Sequence, residues 1–187
     1  MAAEAIATPT LTSAAVRVAV SGSLNLAPLG TALPTSTTGT LNAAFLPLGY
    51  FSDDGLEESF ELSREAITAF QNAAVVREIT TEAKMMYKAT LIETNKAVVE
   101  AYYGTTLTQS APHGTYVINP AGTSGVKALV ATVLDGAEVK VVTCARAEVF
   151  KSGDSITYAT GEAIGYPVEI VCYDQPTVYD TSLKTPA

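Results

Sequence analysis

The sequence of 187 residues is poor in the side chains that most often carry chemistry. It contains no tryptophan, two cysteines and one histidine, and only 16% of its residues are charged. Two cysteines are too few for a disulfide framework, and neither they nor the histidine have the spacing of a metal site. Cys144 and Cys172 lie in apolar stretches, which predicts two buried core residues. No metal site and no cofactor are expected.

Catalytic motifs are also missing. The chain has no G-x-S-x-G nucleophile elbow, no Walker A sequence and no G-x-G-x-x-G. His113 lies in Ala-Pro-His-Gly, which has the composition of an exposed turn. Met85 and Met86 are interpreted as core residues rather than soft metal ligands. No catalytic residue is predicted, and the chain is not expected to be an enzyme.

The charge distribution argues against nucleic-acid and membrane binding. No run of Lys or Arg interrupts a formal net charge of −8, and an acidic chain repels phosphate backbones and anionic membranes. No stretch of about 20 apolar residues is long enough to span a bilayer. Residues 1–5 lack the charged and apolar segments of a signal peptide, so we expect a chain used without secretion.

One long segment carries no charge at all. Residues 18–52 contain no Asp, Glu, Lys or Arg but include Pro28, Pro34 and Pro47. Proline disrupts helix interiors and central strands, and a long irregular segment inside a domain is usually functional or disordered. We interpret residues 21–47 as an extended arm that becomes ordered against a neighbouring subunit. The alternative is a loop packed on its own domain.

The segments on either side of the arm have the alternation of β-strands. Residues 15–20 alternate and are β-branched, which predicts a strand. Residues 56–70 fit both a helix and a strand, and the strand is favoured. As a strand, it places the acidic stripe of Glu57, Glu61 and Glu65 on one face, and Phe60 and Leu62 on the other. Residues 75–92 alternate clearly and predict a long strand with one buried face.

The rest of the chain predicts one helix and several long strands. Thr94 as N-cap and Gly104 as the stop signal enclose a helix over residues 95–103, with Val98, Val99, Tyr102 and Tyr103 facing a sheet. Residues 126–134 and 138–150 predict two strands joined by a tight turn at Asp135 and Gly136, and residues 168–173 another. At about 3.3 Å per residue, the long strands reach about 30–40 Å. Residues 176–187 are expected to be loosely held.

The predicted fold is mainly β, a β-sandwich or partial barrel of long antiparallel strands with one flanking α-helix, in a single domain of residues 1–187. Long strands leave edges that must be covered. Few charges or prolines interrupt these strands, so we expect other copies of the chain to complete the edges.

Several motifs, in this order and spacing, resemble the major tail proteins of siphoviruses that infect actinobacteria. They are residues 28–34 (PLGTALP), 48–56 (LGYFSDDGL), 67–70 (ITAF), 75–77 (VVR), 92–98 (IETNKAV) and 102–104 (YYG). The resemblance covers about residues 27–104. Phe70 stands where the family often has tryptophan.

The resemblance implies a self-assembling structural virion protein with an extended arm and a long hairpin. Six copies would form a ring, and stacked rings would form the tail tube through which the genome enters the host. The subunit would be assembled in the host cytoplasm and would meet tape measure, tail terminator and tail tip proteins. DNA would pass without specific binding. The alternatives are a capsid-decorating or adhesive β-sandwich and a small enzyme with an unrecognised site.

The resemblance also suggests roles for particular residues. Glu57, Glu61 and Glu65 are candidates for an acidic wall of the lumen. The candidate contacts of the arm between subunits are Pro28, Leu29, Gly30, Pro34 and Pro47. Asp135 and Gly136, at the tip of the predicted hairpin, are the candidate bridge between rings.

Overall fold

The computed structural model describes residues 12–153 and 155–184. Within them lie ten strands, one α-helix and two short 3-10 turns, at Ser13–Ala15 and Thr181–Leu183. The strands are β1 (Ser21–Pro28), β2 (Leu46–Pro47), β3 (Glu57–Thr68), β4 (Val75–Leu91), β5 (Thr108–Ser110), β6 (His113–Thr115), β7 (Lys127–Asp135), β8 (Glu138–Lys151), β9 (Tyr166–Cys172) and β10 (Thr177–Asp180), and the helix is α1 (Lys96–Tyr103).

One antiparallel sheet organises the molecule. Its strand order is β2-β1-β7-β8-β9-β4-β3, with β10 also paired to β8, while β5 and β6 form a separate small hairpin. β9 pairs with the C-terminal end of β8, and β10 pairs with residues 140–143 of the same strand. The predicted mainly β fold with one flanking helix is confirmed, as is the tight β7–β8 hairpin at Asp135 and Gly136.

The larger core lies between the sheet and α1. Leu24 of β1, Leu129 of β7 and Ile170 of β9 are completely buried there. The helix contributes the buried side chains predicted for its inner face, Val98, Val99, Tyr102 and Tyr103. Both cysteines belong to this core and have free thiols. Hydrogen bonding to Cys144, together with burial, raises the pKa of the Cys172 thiol, so it stays protonated.

A smaller core on the opposite face corrects the prediction for the arm. Phe45 is buried against Ala128, Val130 and Val141, and Leu33 and Leu41 pack around it. The arm begins at Leu29 rather than at residue 21, because residues 21–28 form β1. Residues 33–45 therefore cover their own sheet, as the alternative interpretation expected.

The helix is capped one residue later than predicted. The Asn95 side chain, not that of Thr94, accepts a hydrogen bond of 2.9 Å from the Val98 N–H. Thr94 instead lies 3.1 Å from the Tyr166 hydroxyl. The predicted stop is confirmed: Gly104 ends the helix with a φ of 59°. A Cβ atom on Gly104 would overlap the backbone of Thr123, so the helix end lies directly against that loop.

Two predictions near the chain ends are wrong. Residues 16–20 form no strand, because β7 ends at Asp135 and the segment runs past that end without a partner strand. Part of the predicted loose tail is a strand, β10, and Val139 N–H donates to the Thr181 hydroxyl just after it. Residues 185–187 lie outside the described residues.

The prediction of one buried face for residues 75–92 holds for only part of the strand. Met86, Tyr87 and Leu91 are buried, whereas nine of the ten residues at positions 75–84 are exposed. The reason is that β9 pairs only with residues 85–91 of β4. The remaining part of β4 continues beyond the body of the domain.

Candidate assembly surface

A long hairpin of β3 and β4 is the most exposed element of the sheet. The two strands have 12 and 17 residues. Within the described residues, β3 pairs only with β4, and residues 75–84 of β4 pair only with β3. This leaves two unpaired edges, which we call the β3 edge (residues 57–68) and the β4 edge (residues 75–84). Such edges are templates for pairing with another chain.

One face of the hairpin continues the larger core. Tyr87 and Leu91 of β4 belong to that core, with Ala89 packed against it. Further along the same face, Met85 lies opposite Phe60, and Ala83 lies opposite Leu62. Phe60 is 62% exposed and Leu62 is 58% exposed. We call this the apolar face; it extends past the domain with nothing over it in the described structure.

The opposite face, the charged face, carries the predicted acidic stripe. Glu57 and Glu61 lie opposite Lys88 and Lys84 in the strand register. Lys84 is, however, 2.6 Å from Glu82, and Lys88 is 3.9 Å from Glu169. Among the described residues, no ion pair involves Glu57, Glu61 or Glu65. The predicted alternation is confirmed, and the three carboxylates face outward without an ion pair of 4.0 Å or less, although Lys84 lies opposite Glu61 and interacts with it electrostatically.

The outer third of the hairpin carries exposed apolar side chains among charged ones. β4 contains two β-bulges, at Thr81 and Val76, so its alternation shifts twice relative to β3. The shift places Ile79 beside Glu65 on the charged face. At the tip, Phe70 is fully exposed and Val76 is 66% exposed. Exposed apolar side chains concentrated in a projecting element mark an interaction surface.

A polar contact inside the sheet anchors the base of the hairpin. The Tyr87 hydroxyl donates a hydrogen bond of 3.1 Å to a Glu58 carboxylate oxygen, and Lys140 of β8 lies 3.6 Å from the same carboxylate. Burial and the nearby Glu58 charge raise the pKa of Tyr87 above its ordinary value of 10.0. Tyr87 therefore stays a neutral donor across the physiological range.

The raised pKa of Tyr87 predicts a loss of stability in alkali. Above pH 10, the unfolded tyrosine ionises while the folded one keeps its proton, so the unfolded state is favoured. The free energy of unfolding should fall by about 1.4 kcal/mol per pH unit from this residue alone. In Tyr87→Phe, urea unfolding should show the same pH dependence as the wild type near pH 8 and a slope smaller by nearly that amount at pH 11. An identical slope in both proteins would contradict the assignment.

Comparison with known families identifies the chain. A family model described as phage tail tube protein matches residues 9–182, which is most of the sequence. The chain belongs to this family. No curated protein matches it. This tail tube protein is therefore a structural component of the virion tail that self-assembles into a tube with other tail proteins, and its family indicates a structural rather than a catalytic role. The resemblance to phage tail proteins is therefore confirmed for the tail tube family.

Most of the predicted arm contacts are on the surface of the tail tube protein. Pro28, Leu29, Gly30 and Pro47 are exposed, and Pro34 is partly buried. A cavity of 660 Å³ lies between the arm and the helix and is lined by Leu46, Leu48 and Ala101, among others. The two-residue strand β2 forms the sheet edge beside it. A contact of this region with another copy remains a prediction.

The turn at Asp135 and Gly136 is a compact part of the domain. β7 and β8 pair up to Asp135 and Glu138, and Gly136 adopts a positive φ of 59°. Asp135 also accepts a hydrogen bond of 3.3 Å from the Val18 N–H and lies 3.8 Å from Arg17. The predicted bridging role of this turn is not tested by these contacts. The tip of the β3–β4 hairpin, in contrast, lies beyond the last residues of β4 that pair with β9.

The Lys151 ammonium group makes several contacts with the loop at residues 119–122, which follows β6. Lys151 Nζ donates to the carbonyl oxygens of Gly122 at 2.7 Å and of Asn119 and Pro120 at 3.3 Å each. These contacts keep the loop against the C-terminal end of the helix.

Among the described residues, no group of three His, Cys, Asp or Glu could hold a metal ion, and no helix is long and apolar enough to cross a membrane.

Sequence reasoning missed Phe60 and Leu62 as surface residues. Their alternation placed them together on one face of a strand, without predicting whether that face is buried. Alternation shows that one face of a strand is apolar but carries no information on which chain covers it. No other signal in this single sequence distinguishes burial within the chain from burial between chains.

Proposed function

We propose that this tail tube protein forms hexameric rings that stack into the tube of a long, non-contractile phage tail, as in siphoviruses of actinobacteria. The tube conducts the genome during ejection. The observation that carries the proposal is the β3–β4 hairpin, which has two unpaired edges and an uncovered apolar face. The tube belongs to the virion tail and is built in the host cytoplasm.

The apolar face supports contact between copies in particular. Phe60 and Leu62 lie on a direct continuation of a packed core, so a second copy that covers them extends an existing packed surface. For the contact with the adjacent ring, residues 69–74 at the hairpin tip are the first candidate, and Asp135 and Gly136 are the second. The exposed arm residues Leu29 and Pro47 offer a further contact between subunits. The two ends of the tube would contact the tail terminator and tail tip proteins. The lumen would contain the tape measure protein.

The charged face supports a role in the lumen. Glu57, Glu61 and Glu65 form no ion pair of 4.0 Å or less among the described residues, and each copy adds a formal charge of −8. A negatively charged wall repels DNA and gives it no sites at which counterions are released, so DNA slides without binding. We assign these three glutamates to the lumen wall.

Microscopy of the purified full-length protein tests the proposed assembly. At increasing concentration, negative-stain images should show sixfold rings and hollow tubes, and sedimentation should show large species in place of a 19.4 kDa monomer. A protein that stays monomeric or trimeric up to millimolar concentration would overturn the proposal and favour a capsid-decorating role.

Reversal of two charges tests the lumen assignment. Glu57→Lys with Glu65→Lys should leave the tube intact but slow genome ejection at low salt, because the new ammonium groups bind passing phosphates. The delay should shrink as salt is raised. The measurement is dye-monitored ejection from virions carrying the variant tube. The neutral pair Glu57→Gln and Glu65→Gln is the control, and equal ejection rates in all three would place the stripe outside the lumen.

A further inference from the structure

The segment before β1 has the pattern of a strand but lacks a partner. Val16, Val18 and Val20 are 72%, 64% and 74% exposed, and they alternate with Arg17 and Ala19. The Val20 N–H donates to the Leu134 carbonyl at 2.9 Å. Beyond that bond, the segment runs past the end of β7, and its contacts are with the Asp135 side chain, which accepts from the Val18 N–H at 3.3 Å. Three exposed valines at alternate positions have the pattern of the apolar face of a β-strand, but residues 16–20 pair with no other strand.

The β3 edge has the complementary pattern. Its apolar face presents Phe60 and Leu62, and its charged face presents Glu61, which has no ion pair among the described residues. A strand added beside β3 extends both faces at once. Valines at alternate positions fit next to Phe60 and Leu62, and a cation between them fits next to Glu61. Residues 16–20 contain this combination.

We propose that residues 16–20 of one copy add as a strand to the β3 edge of a second copy. Arg17 then lies beside Glu61 on the charged face, and Val16 and Val18 lie beside Phe60 and Leu62 on the apolar face. Main-chain hydrogen bonds hold the added strand, and the alternating side chains set its register. This inference rests on the proposed self-assembly and specifies one of its contacts.

The partner in this contact is a second copy, because within one chain the segment is held elsewhere. Val20 is bonded to Leu134, and the Val18 N–H donates to the Asp135 side chain at 3.3 Å. β3 pairs only with β4 among the described residues. The family to which the chain belongs self-assembles into a tube, which supplies second copies. In the isolated chain, Arg17 is instead 3.8 Å from Asp135, with both side chains partly exposed, which is a weak contact.

Cysteine cross-linking tests the proposed pairing. In the full-length variant Arg17→Cys with Glu61→Cys, mild oxidation of assembled protein should give dimers and a ladder of higher species on a non-reducing gel. The native Cys144 and Cys172 are buried, so they do not interfere. The control variant, Arg17→Cys with Thr38→Cys, places the second thiol on the exposed arm and should give no ladder.

A charge exchange provides a second readout. Arg17→Glu should raise the concentration needed for assembly by about tenfold, and adding Glu61→Arg should restore most of the loss. Tubes that form without the cross-link and without rescue would overturn the strand pairing and leave the tube proposal intact. Cross-linked species without rings or tubes would support the pairing and overturn the tube. The absence of both would overturn both proposals.

Discussion

A chain carrying Phe60→Asp and Leu62→Asp is expected to fold as the wild type does and to lose assembly. Both side chains are more than half exposed in the isolated chain, so the substitutions remove few contacts within it. Burial of a large apolar side chain at an interface contributes about 1.5–3 kcal/mol. Loss of two such side chains per copy should weaken association at least about a hundredfold. Light scattering against concentration measures the effect.

The control for this variant is Ser63→Asp. Ser63 lies on the charged face of the same strand, so the substitution adds a negative charge to the hairpin without removing apolar surface. Assembly should shift by much less than in the double variant. Thermal unfolding should be similar in all three proteins. If the double variant formed tubes at the wild-type concentration, the apolar face would not be an interface.

Gly104→Ala is expected to be strongly destabilising. The φ of 59° costs an L-residue about 1 kcal/mol. The added Cβ would also meet the backbone of Thr123 and Gly122, which cannot rotate away as a side chain can. Relief requires the helix end and the loop to separate, which disturbs the packing of Tyr102 and Tyr103. We expect the free energy of unfolding to fall by about 4 kcal/mol or more.

Gly125→Ala separates the two contributions. Gly125 has a similar φ of 64°, and a Cβ there would have nothing within 4 Å. The substitution should cost only the conformational term, about 1 kcal/mol. Urea unfolding monitored by circular dichroism compares the two variants under the same conditions. Equal losses would show that the contact of the helix end with the loop at Thr123 contributes nothing.

The features that sequence reasoning predicted well are those set by local chemistry. Asp135 and Gly136 favour a tight turn wherever two strands meet, and Gly104 supplies the positive φ that ends a helix. The alternation of Glu57, Glu61 and Glu65 persists because β3 contains no bulge. The position of the N-cap was missed by one residue, because Thr94 and Asn95 are both good N-caps. The Thr94 hydroxyl hydrogen-bonds with the Tyr166 hydroxyl instead, which the sequence does not indicate.

The features it missed depend on which chain supplies the neighbours. Val16, Val18 and Val20 have the composition of a strand, yet the end of β7 leaves them unpaired. The arm packs on its own sheet through Phe45, although its lack of charge suits a neighbour equally well. In each case the local pattern specifies the kind of surface and leaves its partner open. For a subunit whose stability is shared between copies, this limit is physical, because part of the fold is completed only on association.

The two bulges in β4 have a mechanical consequence for the hairpin. Thr81 and Val76 give β4 two more residues than β3 over the same stretch, and bulges bend and overtwist a ribbon. The longer strand follows the outer side of the bend, so the curvature is built into the covalent lengths of the two strands. The ribbon is thus pre-shaped before it meets a neighbour, and less ordering entropy is lost on docking. Deletion of both residues would straighten it and return Ile79 to the other side.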